Sequence, residues 1–250
     1  MKRALAFIYG LASYTLTMVC FVYLGAWLGN FGIANSIDSE AQQSLGIALS
    51  INVGLIVLFA LQHSVMARPG FKRWWTKIIG KPIERATYNL FSVIALFAAM
   101  WFWQPMGGSV WLVTDSVGQT VLWSLYGFGW ALLVIASFYI NHFDLFGLRQ
   151  VWLYLQKKDY TDVKFTSPWL YRVVRHPIYI GWFIIVWATP TMTVTHLAFA
   201  VLTSAYILYA VRLEERDLIK AHPEYADYRK EVPALIPRGF GGKKTSQNLA

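Results

Sequence analysis

Long apolar runs separated by short polar stretches make up most of the chain. Runs long enough to cross a bilayer as helices fall at about 5–29, 44–66, 88–104 and 119–142. A fifth apolar region, 178–211, is broken at Thr189-Pro190-Thr191, where proline stops a helix. Its first arm, about 12 residues, rises roughly 18 Å at 1.5 Å per residue, short of a hydrocarbon core. The second arm is long enough to cross. The pattern predicts an all-α polytopic membrane protein with four full transmembrane helices and a C-terminal helical hairpin. It reads as one domain over 1–250, with the first four helices in 1–142 and the chemistry-bearing half in 143–238. Between the second and third runs, 68–81 carries Trp74 and Trp75 among basic residues, which suits a short amphipathic helix lying in the interface.

Composition agrees. Of 250 residues, 56% are hydrophobic and 14% charged, too little polar surface for a soluble domain of this length. The single cysteine, Cys20, sits inside an apolar run and reads as a small core residue, with no internal disulfide and no cysteine-based metal cluster. The first run follows Lys2 and Arg3 without a small-residue cleavage site, so it reads as a retained helix rather than a secretory signal. Trp101, Trp103, Trp111, Trp123 and Trp130 fit interfacial belts or helix packing.

Charge placement predicts orientation. The connections 30–43 and 105–118 hold Asp38, Glu40 and Asp115 but no lysine or arginine, and the hairpin turn has none. All 22 Lys and Arg lie in the N-terminus, 67–87, 143–177 and the tail from Arg212, so both termini are expected in the cytosol of a bacterial inner-membrane protein. Anionic lipid headgroups account for the net charge of +9, and no nucleic-acid partner is implied.

With that topology, His63, His142, Asp144, His176, Tyr179, Glu214 and Glu215 fall near the cytosolic ends of helices. Ionisable groups at membrane depth are costly, and several on one side point to a site. His196 lies at the other side and reads as structural; His222, before Pro223, reads as solvated. The densest chemistry is Arg175-His176-Pro177-Ile178-Tyr179-Ile180-Gly181 and a tail of Leu213-Glu214-Glu215-Arg216-Asp217-Leu218, Pro223 to Tyr228 and Val232 to Arg238. The hairpin between them brings the two blocks together. A soluble dinucleotide-type fold is excluded, since no G-x-G-x-x-G follows a strand. Neither H-x-x-E-H nor Cys/His spacing suggests zinc, and no Ser or Cys nucleophile stands beside a base.

These blocks satisfy R-H-P-x-Y-x-G, E-E-x-x-L and Y-x-x-Y-x-x-x-V-P-x-x-I-P over about 156–238. The chain thereby resembles the isoprenylcysteine carboxyl methyltransferase family of integral-membrane enzymes. In the first half, Gln62-His63-Ser64, Arg68-Pro69-Gly70, Glu84-Arg85-Ala86-Thr87-Tyr88 and Asn141 to Gly147 look like the bacterial methanethiol S-methyltransferase branch. The resemblance implies S-adenosylmethionine as methyl donor. It implies donor contacts from Gln156; from Val163, Lys164, Phe165 and Thr166; from Tyr171; and from Arg175, His176, Pro177, Ile178 and Tyr179, with Glu214 and Glu215.

The prenylcysteine enzymes carry a substrate-binding arginine four residues before the first glutamate, where this chain has Ala210. A small thiol, having no carboxylate, fits that loss, and the resemblance points to methanethiol going to dimethyl sulfide. The thiol's proton is expected to pass to His142 paired with Asp144, or to His63, with Tyr179 and Arg212 as lesser candidates. The alternatives are a lipid or prenylcysteine-type carboxylate or amine acceptor and, outside enzymes, a membrane scaffold or permease.

Overall fold

A computed structural model describes residues 1–161, 163 and 165–237. In chain order the elements are α1 (Lys2–Gly29), α2 (Leu45–Ala67), α3 (Pro69–Ile79), α4 (Lys81–Phe102), β1 (Ser109–Leu112), α5 (Ser116–Tyr139), α6 (His142–Leu145), α7 (Leu148–Leu155), α8 (Leu170–Val173), α9 (Pro177–Trp187), β2 (Thr191–Thr193), α10 (Val194–Ala221) and α11 (Tyr225–Glu231). Among them α1, α2, α4, α5 and α10 are long and apolar enough to cross a membrane, and α9 is a shorter apolar helix. α3 matches the expected amphipathic segment and has no buried residue.

Two helices run well past their apolar stretches. α4 starts at Lys81 with Pro82 in its first turn, where the missing N–H needs no partner. Glu84 and Arg85 therefore ride on the same rigid rod as the spanning segment. α10 likewise continues to Ala221 through Glu214, Glu215 and Asp217.

The all-α expectation needs one correction. β1 and β2 pair antiparallel, with Trp111 opposite Met192 and Leu112 opposite Thr191. Beyond Pro190 the backbone has left the helix while Met192 is fully buried, so its polar groups need partners. A strand from the preceding connection supplies them, turned back by Gly107 and Gly108 at positive φ. Elements this short leave no readable alternation.

α4 packs between α1 and α2, α10 against α2 and α9, and α9 along α5. The α5–α9 crossing is close because it is built on glycine. A methyl added at Gly181 would lie 2.8 Å from the Gly129 carbonyl oxygen, and one at Gly129 would lie 2.9 Å from the Gly181 carbonyl oxygen. Tyr126 on α5 donates to the Gly25 carbonyl at 2.6 Å and so ties α5 to α1. Cys20, Leu24, Trp27, Ile56, Met100, Trp103, Ile185 and Phe199 share the core, as expected for Cys20. Trp27, Trp103 and Phe199 meet edge to face there, whereas Trp101 is exposed.

The end of the bundle away from the basic residues is closed by polar ties. Asp38 accepts from Asn30 Nδ2 at 2.7 Å and Thr193 Oγ1 at 2.5 Å, and His196 Nδ1 lies 3.4 Å away. Asn52 and the Gln104 backbone exchange two bonds of 2.8 Å, and Met106 N–H donates to Thr195 at 2.7 Å. Burial pushes Asp38 up, but His196, Thr193 and Asn30 together outweigh it and hold the carboxyl below its usual range. His196 is structural here.

Candidate active site

Neighbouring residues on a helix point about 100° apart, so Glu214 and Glu215 on α10 meet different surroundings. Glu215 is buried. Its Oε1 takes Arg175 Nε at 2.7 Å and His176 Nε2 at 3.0 Å, with the Tyr225 hydroxyl at 3.5 Å; Oε2 faces Arg229 Nε at 3.1 Å. Arg175 also donates to the carbonyls of Arg229 and Val232. The backbone pairs in step, Arg175 N–H with Pro233 O at 2.9 Å and His176 N–H with Ala234 O at 3.1 Å. One carboxylate thus fastens the start of α9, the end of α10 and α11 into a single block.

Glu214 differs. It is half-buried and accepts from the Tyr179 hydroxyl at 2.6 Å. Among the described residues no lysine, arginine or histidine lies within ion-pair distance of it. The phenols of Tyr88, Tyr171, Tyr179 and Tyr206 all lie within its electrostatic reach. The ring of His176 stacks on Tyr179 at 5.4 Å. An unneutralised carboxylate among aromatic rings is the donor set that a cation selects, through charge and ring quadrupole together.

Several expected residues join this end. Phe165 packs on Tyr225 and Tyr228, with ring centroids 5.6 and 5.2 Å apart. The Tyr171 hydroxyl donates to the Ala136 carbonyl on α5 at 3.3 Å, and the Tyr171 carbonyl accepts from Tyr228. Burial pushes the Tyr171 and Tyr225 phenols up, and Tyr228 to about 12. Pro177 opens α9, followed by half-buried Ile178. Val163 and Thr166 line a cleft of about 440 Å³ with Asn141, His142 and Phe143. Lys164 lies outside the described residues. Gln156 caps the end of α7, exposed, and Arg212 is exposed on α10. Tyr225 and Tyr228 are fixed positions of the tail motif and Arg229 follows them, yet nothing in one sequence marks the three as partners of Arg175 and Glu215.

The expected His142–Asp144 pairing is not made. His142 Nδ1 is 2.7 Å from Ser137 Oγ, whose own proton goes to the Val134 carbonyl, so Nδ1–H donates and Nε2 accepts from Tyr14 at 2.9 Å. Phe138 stacks on the ring at 4.2 Å, and burial pushes the imidazole down. Asp144 instead bonds Arg149 at 2.9 Å and Tyr160 at 3.3 Å. The partners of His142 come from α1 and α5, which local spacing does not reveal. His63 lies on α2, bonded to Tyr88 and Ser92 of α4.

The model of the family described as "Isoprenylcysteine carboxyl methyltransferase (ICMT) family" matches residues 130–220, the span holding α9, most of α10 and both glutamates. A methanethiol S-methyltransferase of Crocosphaera subtropica is 50% identical over 98% of this chain and 96% of its own length. One from Mycobacterium tuberculosis is 46% identical over 95% and 98%, and one from Pseudomonas deceptionensis 45% over 92% and 88%. No solved structure matches the chain.

Proposed function

The chain belongs to the isoprenylcysteine carboxyl methyltransferase family, among the methanethiol S-methyltransferases, and we propose that it methylates methanethiol from S-adenosylmethionine to give dimethyl sulfide. The observation that carries this is Glu214, a carboxylate with a phenol for partner and, among the described residues, no cation. When bound, the donor supplies an electrophilic methyl on a positively charged sulfur and a free ammonium. Glu214 is the group that would balance such charge, with Tyr179 and His176 orienting it and Tyr171 closing the side toward α5. Charge disappears as thiolate meets sulfonium, so a site walled by α2, α4, α9 and α10 favours the reaction by excluding water and by aligning sulfur with methyl.

Glu215, Arg175, Tyr225 and Arg229 form the frame of the site in this reading, not its contacts. The thiol acceptor rests on Ala210 as well: no guanidinium replaces it from α10, because Arg212 is exposed. A carboxylate acceptor would lack its counter-ion there. We place the basic end of the bundle in the cytoplasm of a bacterial inner membrane, where the donor is made.

Purified protein in detergent, given S-adenosylmethionine and methanethiol, should release dimethyl sulfide into the headspace and leave farnesylcysteine unmethylated. Methyl transfer to farnesylcysteine without dimethyl sulfide would replace the thiol with the lipid-like carboxylate acceptor.

A further inference from the structure

The hydrogen bonds of the segment Glu84 to Tyr88 run to Tyr9, Ser13 and His63 rather than to Glu214 or Tyr179, and they hold a second cluster. Arg85 and Tyr88 are three residues apart and share a face of α4. The Tyr88 hydroxyl lies 2.8 Å from His63 Nε2 and 3.0 Å from Nδ1. Ser92 gives its proton to the Tyr88 carbonyl at 3.0 Å, so at 3.1 Å it accepts from His63 Nδ1–H, and Nε2 is left to take the Tyr88 proton. Phe59 stacks on the imidazole at 5.3 Å. The phenol oxygen of Tyr88 keeps its acceptor capacity, and the ring nitrogens are committed.

Charge at this wall is unbalanced. Arg68, at the end of α2, is neutralised by Asp217 of α10 at 2.8 Å, and Arg149 of α7 by Asp144 at 2.9 Å. Lys72 of α3 is pushed down to about 8, chiefly by burial and then by Arg85. Glu84 and Asp144 act on Lys72 from the other direction, and α1 offers Tyr9, bonded to Thr87. Arg85 is half-buried and makes no ion pair among the described residues, while lying within electrostatic reach of His63 and Tyr88. Its backbone is fixed: a methyl added at Gly147, in the turn before α7, would lie 2.6 Å from Ala86 N. Tyr88 also feels Glu214 across the site. Among the described residues neither Arg85 nor Glu214 makes an ion pair, and both lie within electrostatic reach of the Tyr88 phenol.

We infer that this α2–α4 wall is the acceptor subsite, where Arg85 holds the reacting sulfur as a thiolate while Glu214 balances the donor's positive charge. The inference rests on the proposed methyl transfer and specifies its acceptor half. The S–H bond gives its proton to water at the basic end. The sulfur lone pair then forms the new C–S bond as the donor's S–CH₃ bond breaks, leaving two neutral thioethers and one released proton.

The test is the pH–rate profile of Arg85→Gln with methanethiol, beside equilibrium binding of S-adenosylmethionine, which also reports folding. A neighbouring cation lowers an acid's pKa by about 1–3 units, so near neutral pH the variant should be roughly tenfold to a thousandfold slower. The deficit should shrink by about tenfold per pH unit once pH passes the wild-type thiol's pKa, as solvent supplies thiolate to the variant. Donor affinity should stay within about twofold of wild type, and Arg85→Lys, which restores the charge, should recover part of the rate. An unchanged profile, or a rate loss that tracks lost donor binding, would overturn the assignment; the second result would put Arg85 on the donor's carboxylate. Failure of wild-type protein to make dimethyl sulfide would instead count against the proposed function itself.

Discussion

Each end of the bundle holds a buried carboxylate beside a histidine, and the two ends use it alike. Asp38 with His196 ties the α1–α2 connection to the start of α10; Glu215 with His176 ties α9, α10 and α11. Both are surrounded by donors from distant segments. What distinguishes the basic end is a second layer of half-buried charges without an ion pair among the described residues: Glu214, with its phenol, and Arg85. At the opposite end the remaining carboxylates, Glu40 and Asp115, are exposed. A buried charge that is fully paired holds a structure together, and an unpaired one nearby is available for a ligand. In the proposed reading the Glu-Glu doublet places these two roles on adjacent residues.

That comparison breaks first at Glu215. Glu215→Gln leaves Arg175 and Arg229 uncompensated and should lose about 3–5 kcal/mol of stability, seen as a large drop in melting temperature in detergent. An unchanged melting temperature would show that the block does not depend on it. Asp38→Asn should cost less, about 1–3 kcal/mol, and should leave S-adenosylmethionine affinity untouched. Weaker donor binding in that variant would mean that the two ends are coupled.

Acid sharpens the same point. The Asp38 carboxyl is held below its ordinary value, so its stabilisation is complete above about pH 4 and is lost as pH falls through the lowered value. Wild type should therefore lose more stability than Asp38→Asn as pH falls below about 4. Equal losses would remove the ion pair from the account. Tyr228→Phe should show the smallest effect, about 0.5–1.5 kcal/mol for one hydrogen bond to the Tyr171 carbonyl, read by thermal denaturation.

Much of the architecture was legible because hydrocarbon length is a local property: the runs that predict spans recur as α1, α2, α4, α5 and α10. Helix ends were less so. α4 begins before its apolar run because Pro82 and good helix formers extend it into polar sequence, which puts Arg85 on the same helix as Tyr88. The β1–β2 pair escaped notice because it satisfies backbone groups between segments far apart in sequence. In the site, motif residues gather as expected, but their roles follow from partners that spacing does not show. Glu215 is a structural hub because Arg229 and Tyr225 fold back on it. His142 turns from Asp144 because Tyr14, 128 residues away, takes its nitrogen.

The most direct test is a titration of S-adenosylmethionine against wild type, Glu214→Gln and Asp38→Asn at matched fractions folded. A charge-assisted contact contributes about 1.5–3 kcal/mol, so Glu214→Gln should weaken binding roughly tenfold to a hundredfold while Asp38→Asn binds as wild type. Equal affinity in all three would contradict the assignment of the donor to the unpaired carboxylate.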